Sequence, residues 1–214
     1  NVEAHFDICK SFNKIIDYKK AILKPLVGLE TSSRCDLLLF HKSGVYIVYH
    51  FDAKNYTEKR KKILLVGRKH MSDWRVSIDK KNAMMEFSIE NLAYNFPNIA
   101  NMLNKKYGDT LGKEIPCHFV VTHNKMLFDI DTLDGKVHIC KPHQIHKYIK
   151  EISKNTSPEN LLTNEDIAEL EDSLIYSSYR RTSLESQIET AKQEALEKYF
   201  RTGTLSISSY NDFV

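Results

Sequence analysis

The sequence predicts a mixed α/β (α+β) fold, with a central mixed sheet flanked by helices and a helical appendage at the C-terminus. Three observations carry that expectation. An apolar stripe at helical spacing opens the chain: Val2, Phe6, Cys9, Phe12 and Ile16. Two strongly apolar runs, residues 34–40 and 45–54, then flank the turn-forming His41-Lys42-Ser43-Gly44. After them come a strand meander, a helix, two short strands and a further helix, and two more helical patterns follow Asn155-Thr156-Ser157-Pro158.

The first helix is expected over residues 2 to about 23, ended by Pro25 and Gly28. The strand from Val45 alternates two sets of side chains. Tyr46, Val48, His50, Asp52 and Lys54 share one face, and Val45, Ile47, Tyr49, Phe51 and Ala53 the other. Lys62–Val66 and Trp74–Ile78 read as further strands around Gly67. Residues 83–107 read as a helix interrupted at Pro97. Cys117–Thr122 and Lys136–Cys140 read as short strands around a turn-rich 129–135, where Asp129 and Asp131 serve as turn formers. A helix follows over 142–153. Another starts near Thr163, with Ile167, Leu170, Leu174 and Ile175 inward. A last helix starts at the capping box Thr182-Ser183-Leu184-Glu185 and runs to about Phe200. The domain expectation is a core over 1–155, a helical extension over 156–200 and a loose tail over 201–214.

Composition narrows the class. Hydrophobic residues at 42% and charged residues at 28% are those of an ordinary globular protein. No apolar run of about 18 residues is present, so no membrane partner is expected. Cys9, Cys35, Cys117 and Cys140 form no CxxC pair, which suits free thiols and a cytoplasmic location. The net charge of +3 hides an uneven spread. Seven Lys/Arg residues against one acid lie between Lys54 and Lys69, whereas five acids and no base lie between Glu165 and Asp172.

The candidate site is the hairpin with its acids. Asp36 opens one strand, and Asp52-Ala53-Lys54 ends the next. Asp is disfavoured in strands, and both acids interrupt apolar runs. Two carboxylates and a lysine converging there suit a divalent cation, Mg²⁺ or Mn²⁺, acting on a phosphodiester. Asp36, Asp52 and the Ala53 carbonyl are candidate metal ligands, and Glu3 on the first helix is a candidate third carboxylate. Lys54 could orient the attacking water or stabilise charge on the phosphorane-like state. The basic block Lys59, Arg60, Lys61, Lys62, Arg68 and Lys69 could hold phosphates without reading sequence.

With these residues in hand, the chain resembles a nuclease-related domain (NERD) of the PD-(D/E)xK superfamily over residues 2–178. The resemblance rests on Glu3, Asp36, Gly44-Val45-Tyr46 and Asp52-Ala53-Lys54-Asn55-Tyr56. Weaker matches are Trp74, Asn82-Ala83-Met84-Met85-Glu86, Val137–Cys140 and Leu162–Ile167. In the family the Asn82 match stands at the start of a helix as Asn-Pro-x-x-Gln. The chain departs from the pattern in Asp52 for Glu, Ala83 for Pro, Glu86 for Gln and Val2 for Gly, and in a Gly44 placed three residues farther from the acid, which implies a longer or bulged strand. The resemblance implies a restriction-endonuclease-like core cutting DNA with a divalent metal. A nucleic-acid-binding module of little or no activity, within a larger protein, is the alternative. So is an RNA endonuclease of the same fold, as in cap-snatching viral polymerases.

Other features read more plainly. Trp74 is expected in the core, and His50 could line the site. His138, Cys140, His143 and His146 match no standard zinc spacing. No Gly-rich phosphate loop is present, which speaks against an NTPase. Leu184, Ile188, Ala191 and Ala195 could pack on the core or form the seam of a homodimer.

Overall fold

A computed structural model of the chain describes residues 2–23, 35–51, 63–67, 73–80, 83–91, 96–124, 127–130 and 137–179. It shows an α+β architecture with a mixed five-stranded sheet flanked by helices. That sheet has the order β1 (Lys19–Leu23), β2 (Leu37–His41), β3 (Gly44–Phe51), β7 (Cys117–His123) and β9 (Val137–Cys140). The pairs β1–β2 and β2–β3 are antiparallel, while β3–β7 and β7–β9 are parallel. A second sheet has the order β6 (Ala83–Glu90), β5 (Asp73–Lys80), β4 (Ile63–Gly67), β8 (Leu127–Ile130).

All five residues of β2 are buried, as a strand covered on both faces requires. The alternation expected of β3 is realised. Tyr46 and Val48 pack with Ile8, Cys9 and Phe12 of α1 (Val2–Phe12) and with Ile145 and Ile149 of α4 (Ile145–Asn155). Val45, Ile47, Tyr49 and Phe51 pack on the opposite side. There they meet Trp74, Val76 and Ile78 of β5, Phe96, Ile99 and Leu103 of α2 (Phe96–Leu103, followed by the short α3, Asp109–Leu111), and Ile167, Leu170 and Leu174 of α5 (Asn164–Tyr179). Trp74 is thus a core residue. The described part of the chain beyond residue 155 shares this core through α5, and the Lys20–Glu171 ion pair at 2.9 Å ties it to β1.

Three expectations are corrected. The first helix stops at Phe12, not near residue 23, because a tight turn hands Lys14 N–H to Ser11 O and Ile15 N–H to Phe12 O. Residues 19–23 then pair with buried β2, so tertiary pairing overrides helical spacing, and Ile16 is left fully exposed. Residues 83–90 form strand β6 rather than a helix, paired from Asp73↔Glu90 to Lys80↔Ala83. The Met84–Glu86 stretch therefore lies on a strand and Glu86 is exposed, unlike the helix position of the family match. The helix begins only at Phe96, with Pro97 in its first turn, where a missing N–H leaves no helical bond unmade. Finally, Asp129 sits within β8 opposite Val66 rather than in a turn.

The hairpin closes through Lys42 and Ser43, with His41 opposite Gly44. Gly44 has φ = 129°, and a Cβ there would lie 2.3 Å from Pro116 O. Glycine is required by both conformation and space. From Gly44 to Phe51 the register runs without a bulge, so the longer spacing from Gly44 is a longer strand.

Candidate functional site

The carboxyl ends of β3, β7 and β9 lie together, since Phe51 pairs with His123 and Thr122 with Cys140. In open sheets with parallel strands, ligands gather at such ends. Asp36 stands here, just before β2. Its N–H donates to Val48 O at 2.8 Å, continuing the ladder. Its carboxylate Oδ2 accepts from the His50 N–H at 2.6 Å. A charge-assisted bond of that kind contributes about 1.5–3 kcal/mol. Its other oxygen, Oδ1, faces His5 Nε2 at 3.6 Å, and the Asp36 side chain remains 33% exposed.

Burial pushes the Asp36 carboxyl up, but His5 and the His50 N–H favour its charged form more strongly, so its pKa is lowered. Asp36 is therefore an ionised oxygen donor at neutral pH, held in place by backbone. The His50 ring is held in turn. Thr122 Oγ1 donates to Tyr49 O and accepts from His50 Nδ1 at 2.9 Å. His123 lies beside it on β7, with its pKa pushed down to about 4 by burial first, then by the charges of Lys141 and His50.

α1 is the helix that reaches Asp36, and the described contact is made by His5. Glu3 lies on the same helix, with its side chain outside the described residues. Asp52, Ala53 and Lys54 also lie outside them, as do Lys59, Arg60, Lys61, Lys62, Arg68, Lys69, Asn82 and the segment 182–214. Of the expected ligand set, Asp36 is thus the one whose surroundings are described. It fits a divalent cation through its charge and the oxygen turned away from the backbone. Among the described residues no three His, Cys, Asp or Glu side chains converge on one point.

From sequence, His5, like His50, stands undecided between lining the site and a plain satisfied histidine. The signal was its place one helical turn before Cys9 on the stripe that α1 buries, where an imidazole is unusual without a task. The other histidines of interest are used elsewhere. His138 stacks on Tyr148 with centroids 3.6 Å apart, and His146 Nδ1 meets Ser11 Oγ at 2.9 Å. His143 is exposed, and Cys140 is buried with its thiol pKa pushed up to about 12 by burial. All four cysteines are free thiols.

A second polar cluster sits at the turn end of the same hairpin. His41 Nε2 lies 3.2 Å from Asp17 Oδ2, and His41 Nδ1 lies 2.8 Å from Ser43 Oγ. Ser43 N–H also points to Nδ1 at 3.3 Å, which makes that nitrogen an acceptor and puts the ring proton on Nε2. The chain of donors then runs from the Tyr46 hydroxyl to Ser43 Oγ at 2.6 Å, to His41, to Asp17. This is the residue set of a nucleophilic triad, but Ser43 is completely buried. With no approach to its hydroxyl, the cluster serves as a lock on the turn.

Among the described residues no helix is long and apolar enough to cross a membrane. No protein-family model, no curated protein and no solved structure matches the chain.

Proposed function

We propose that the protein is a divalent-metal-dependent nuclease of restriction-endonuclease-like fold, hydrolysing phosphodiester bonds of DNA. The observation that carries this is Asp36: an ionised, partly exposed carboxylate, fixed by the His50 N–H at the carboxyl end of β3. In sequence, that strand runs directly into Asp52-Ala53-Lys54. The mixed sheet flanked by helices is compatible with this fold.

In this reading Asp36, Asp52, the Ala53 carbonyl and Glu3 hold Mg²⁺ or Mn²⁺. The ion would supply a polarised phosphate and an activated water. Lys54 donates to the water or to the phosphate oxygen that gains charge. Lys59, Arg60, Lys61, Lys62, Arg68 and Lys69 hold the backbone of the nucleic acid, which makes binding weaken as salt rises.

The test is cleavage of plasmid and linear DNA by the purified chain with Mg²⁺ or Mn²⁺, with RNA in parallel. Asp52→Ala and Lys54→Ala are expected to stop cutting while leaving the melting temperature near the wild-type value. DNA binding without cutting in any divalent ion would sink the enzyme reading and leave a binding module. Cutting of RNA alone would move the substrate to RNA.

A further inference from the structure

The outer face of α4 carries a row of lysines. Lys147, Lys150 and Lys154 follow one another at spacings of three and four, on one side of the helix, and all three are exposed. Ile145 and Ile149 bury the opposite side. Two more exposed lysines extend the row. Lys141 directly follows β9 and so opens it at the strand ends where Asp36 lies. Lys14, just past α1, stands near His146, whose Nδ1 meets Ser11 Oγ at 2.9 Å. Burial first, then the charges of Lys14, Lys150 and Lys147, push the His146 pKa down. The neighbouring acids do not relieve the row. Asp17 is engaged by His41 and Lys42, and Glu151 acts on His138 and Tyr148. Asp7 lies two turns before Lys14 on α1. Among the described residues none of the five lysines forms an ion pair. Like charges three and four apart weaken a helix, so an unrelieved row suits a counter-charge from outside.

We propose that this row binds the phosphate backbone of duplex DNA and leads it to the Asp36 site. The choice of DNA as partner rests on the nuclease reading, and the row is a second surface beside the basic block at residues 59–69. A rise of about 1.5 Å per residue sets Lys147 and Lys154 about 10 Å apart along the helix, the length over which one strand of a duplex presents about three phosphates. A single strand is gripped chiefly by open aromatic faces on which its bases stack. The rings beside α4 are already stacked on one another: His138 on Tyr148, Tyr46 on His118, with Tyr148 edge-on to Tyr46. The row therefore offers charge without a stacking platform, which matches the backbone of a closed duplex and reads no sequence.

Binding is measured on the full chain by fluorescence anisotropy with a short labelled duplex, without divalent ion, over a salt series. Lys147→Gln/Lys150→Gln is expected to weaken binding about tenfold or more at low salt and to lower the salt slope by about 2. Lys105→Gln/Lys106→Gln removes the same charge from an exposed place elsewhere and is expected to stay within about twofold of wild type. All four lysines are exposed, so the melting temperatures are expected to hold. Wild-type affinity and slope in the Lys147→Gln/Lys150→Gln protein overturn the inference and leave the nuclease reading standing. Equal losses from both pairs overturn it too, since net charge alone would then govern binding. A wild type that binds duplex through the row, yet never cuts it with Mg²⁺ or Mn²⁺, sinks the nuclease reading and leaves the row. Vesicles of phosphatidylserine and phosphatidylcholine, bound more tightly than duplex through the same lysines, would give the surface to a membrane and overturn the DNA assignment.

Discussion

The β2–β3 hairpin carries a histidine–aspartate pair at each end, and the two ends treat the same residue types in opposite ways. At the turn, His41 uses both ring nitrogens, toward Asp17 and toward Ser43, and Ser43 passes the chain on to Tyr46. At the open end, His5 holds a buried nitrogen without a hydrogen bond, 3.6 Å from a carboxylate that is one-third exposed. A polar group whose bonds are filled and whose surface is closed stabilises the fold. One that is oriented, charged and reachable is available for chemistry. Residue identity does not separate the two pairs, but partner saturation and access do.

Gly44→Ala should break the turn end most severely. The new Cβ meets Pro116 O, which also accepts the Val45 N–H at 2.8 Å and cannot easily retreat. A loss of about 3 kcal/mol or more is expected in chemical denaturation. Asp36→Asn should mark the contrast at the open end. Its amide oxygen can still accept from the His50 N–H, so only the charge-assisted share of that bond is lost and stability is expected to fall by about 1 kcal/mol. On the proposed nuclease reading, metal-dependent cleavage is expected to fall about a hundredfold or more. A variant that lost stability but kept activity would erase the distinction between the ends.

Ser43→Ala leaves the Tyr46 hydroxyl and His41 Nδ1 each short of a bond inside the core. The expected cost is about 1–3 kcal/mol in the denaturation midpoint, with turnover per folded molecule unchanged.

The smallest effect is one of pH. Burial lowers the pKa of His41 and His118 near the turn and holds His123 at about 4. The unfolded chain protonates its histidines below about pH 6.5, while the folded chain resists. The stability they contribute is present above that pH and is lost as pH falls toward the folded values. The melting temperature should start to drop near pH 6.5, ahead of the carboxylates. Asp36 and Asp17 have lowered pKa values, so their contribution lasts until pH falls below about 4. A melting temperature flat from pH 7.5 to 4.5 would contradict this.

The sequence made the hairpin legible because strand alternation is local: Tyr46 and Val48 on one face, Ile47 and Tyr49 on the other, both confirmed in the packing. Asp36 stood out for the same reason, as an acid breaking an apolar run. The edge strand β1 and strand β6 were not legible. Lys19–Leu23 and Ala83–Glu90 carry helix-compatible residues, and their strand character comes from partners distant in sequence or across a turn. The pairing of His5 with Asp36 was not legible, and His5 stayed undecided, because that partner lies 31 positions away on another element. The Asp17–His41–Ser43–Tyr46 chain was hidden likewise, since only the sheet brings Asp17 to the hairpin.

The two-residue turn has a consequence for the order of assembly. A hairpin closed over so short a loop forms within microseconds, whereas the parallel partner β7 must return from far along the chain, as the Thr122–Tyr49 bond across 73 positions shows. The Asp36–His50 bond spans only 14 positions and belongs to the early unit. The carboxylate is thus seated before the sheet that surrounds it is complete, and slow docking of β7 would delay the Thr122 hold on His50 without unseating Asp36.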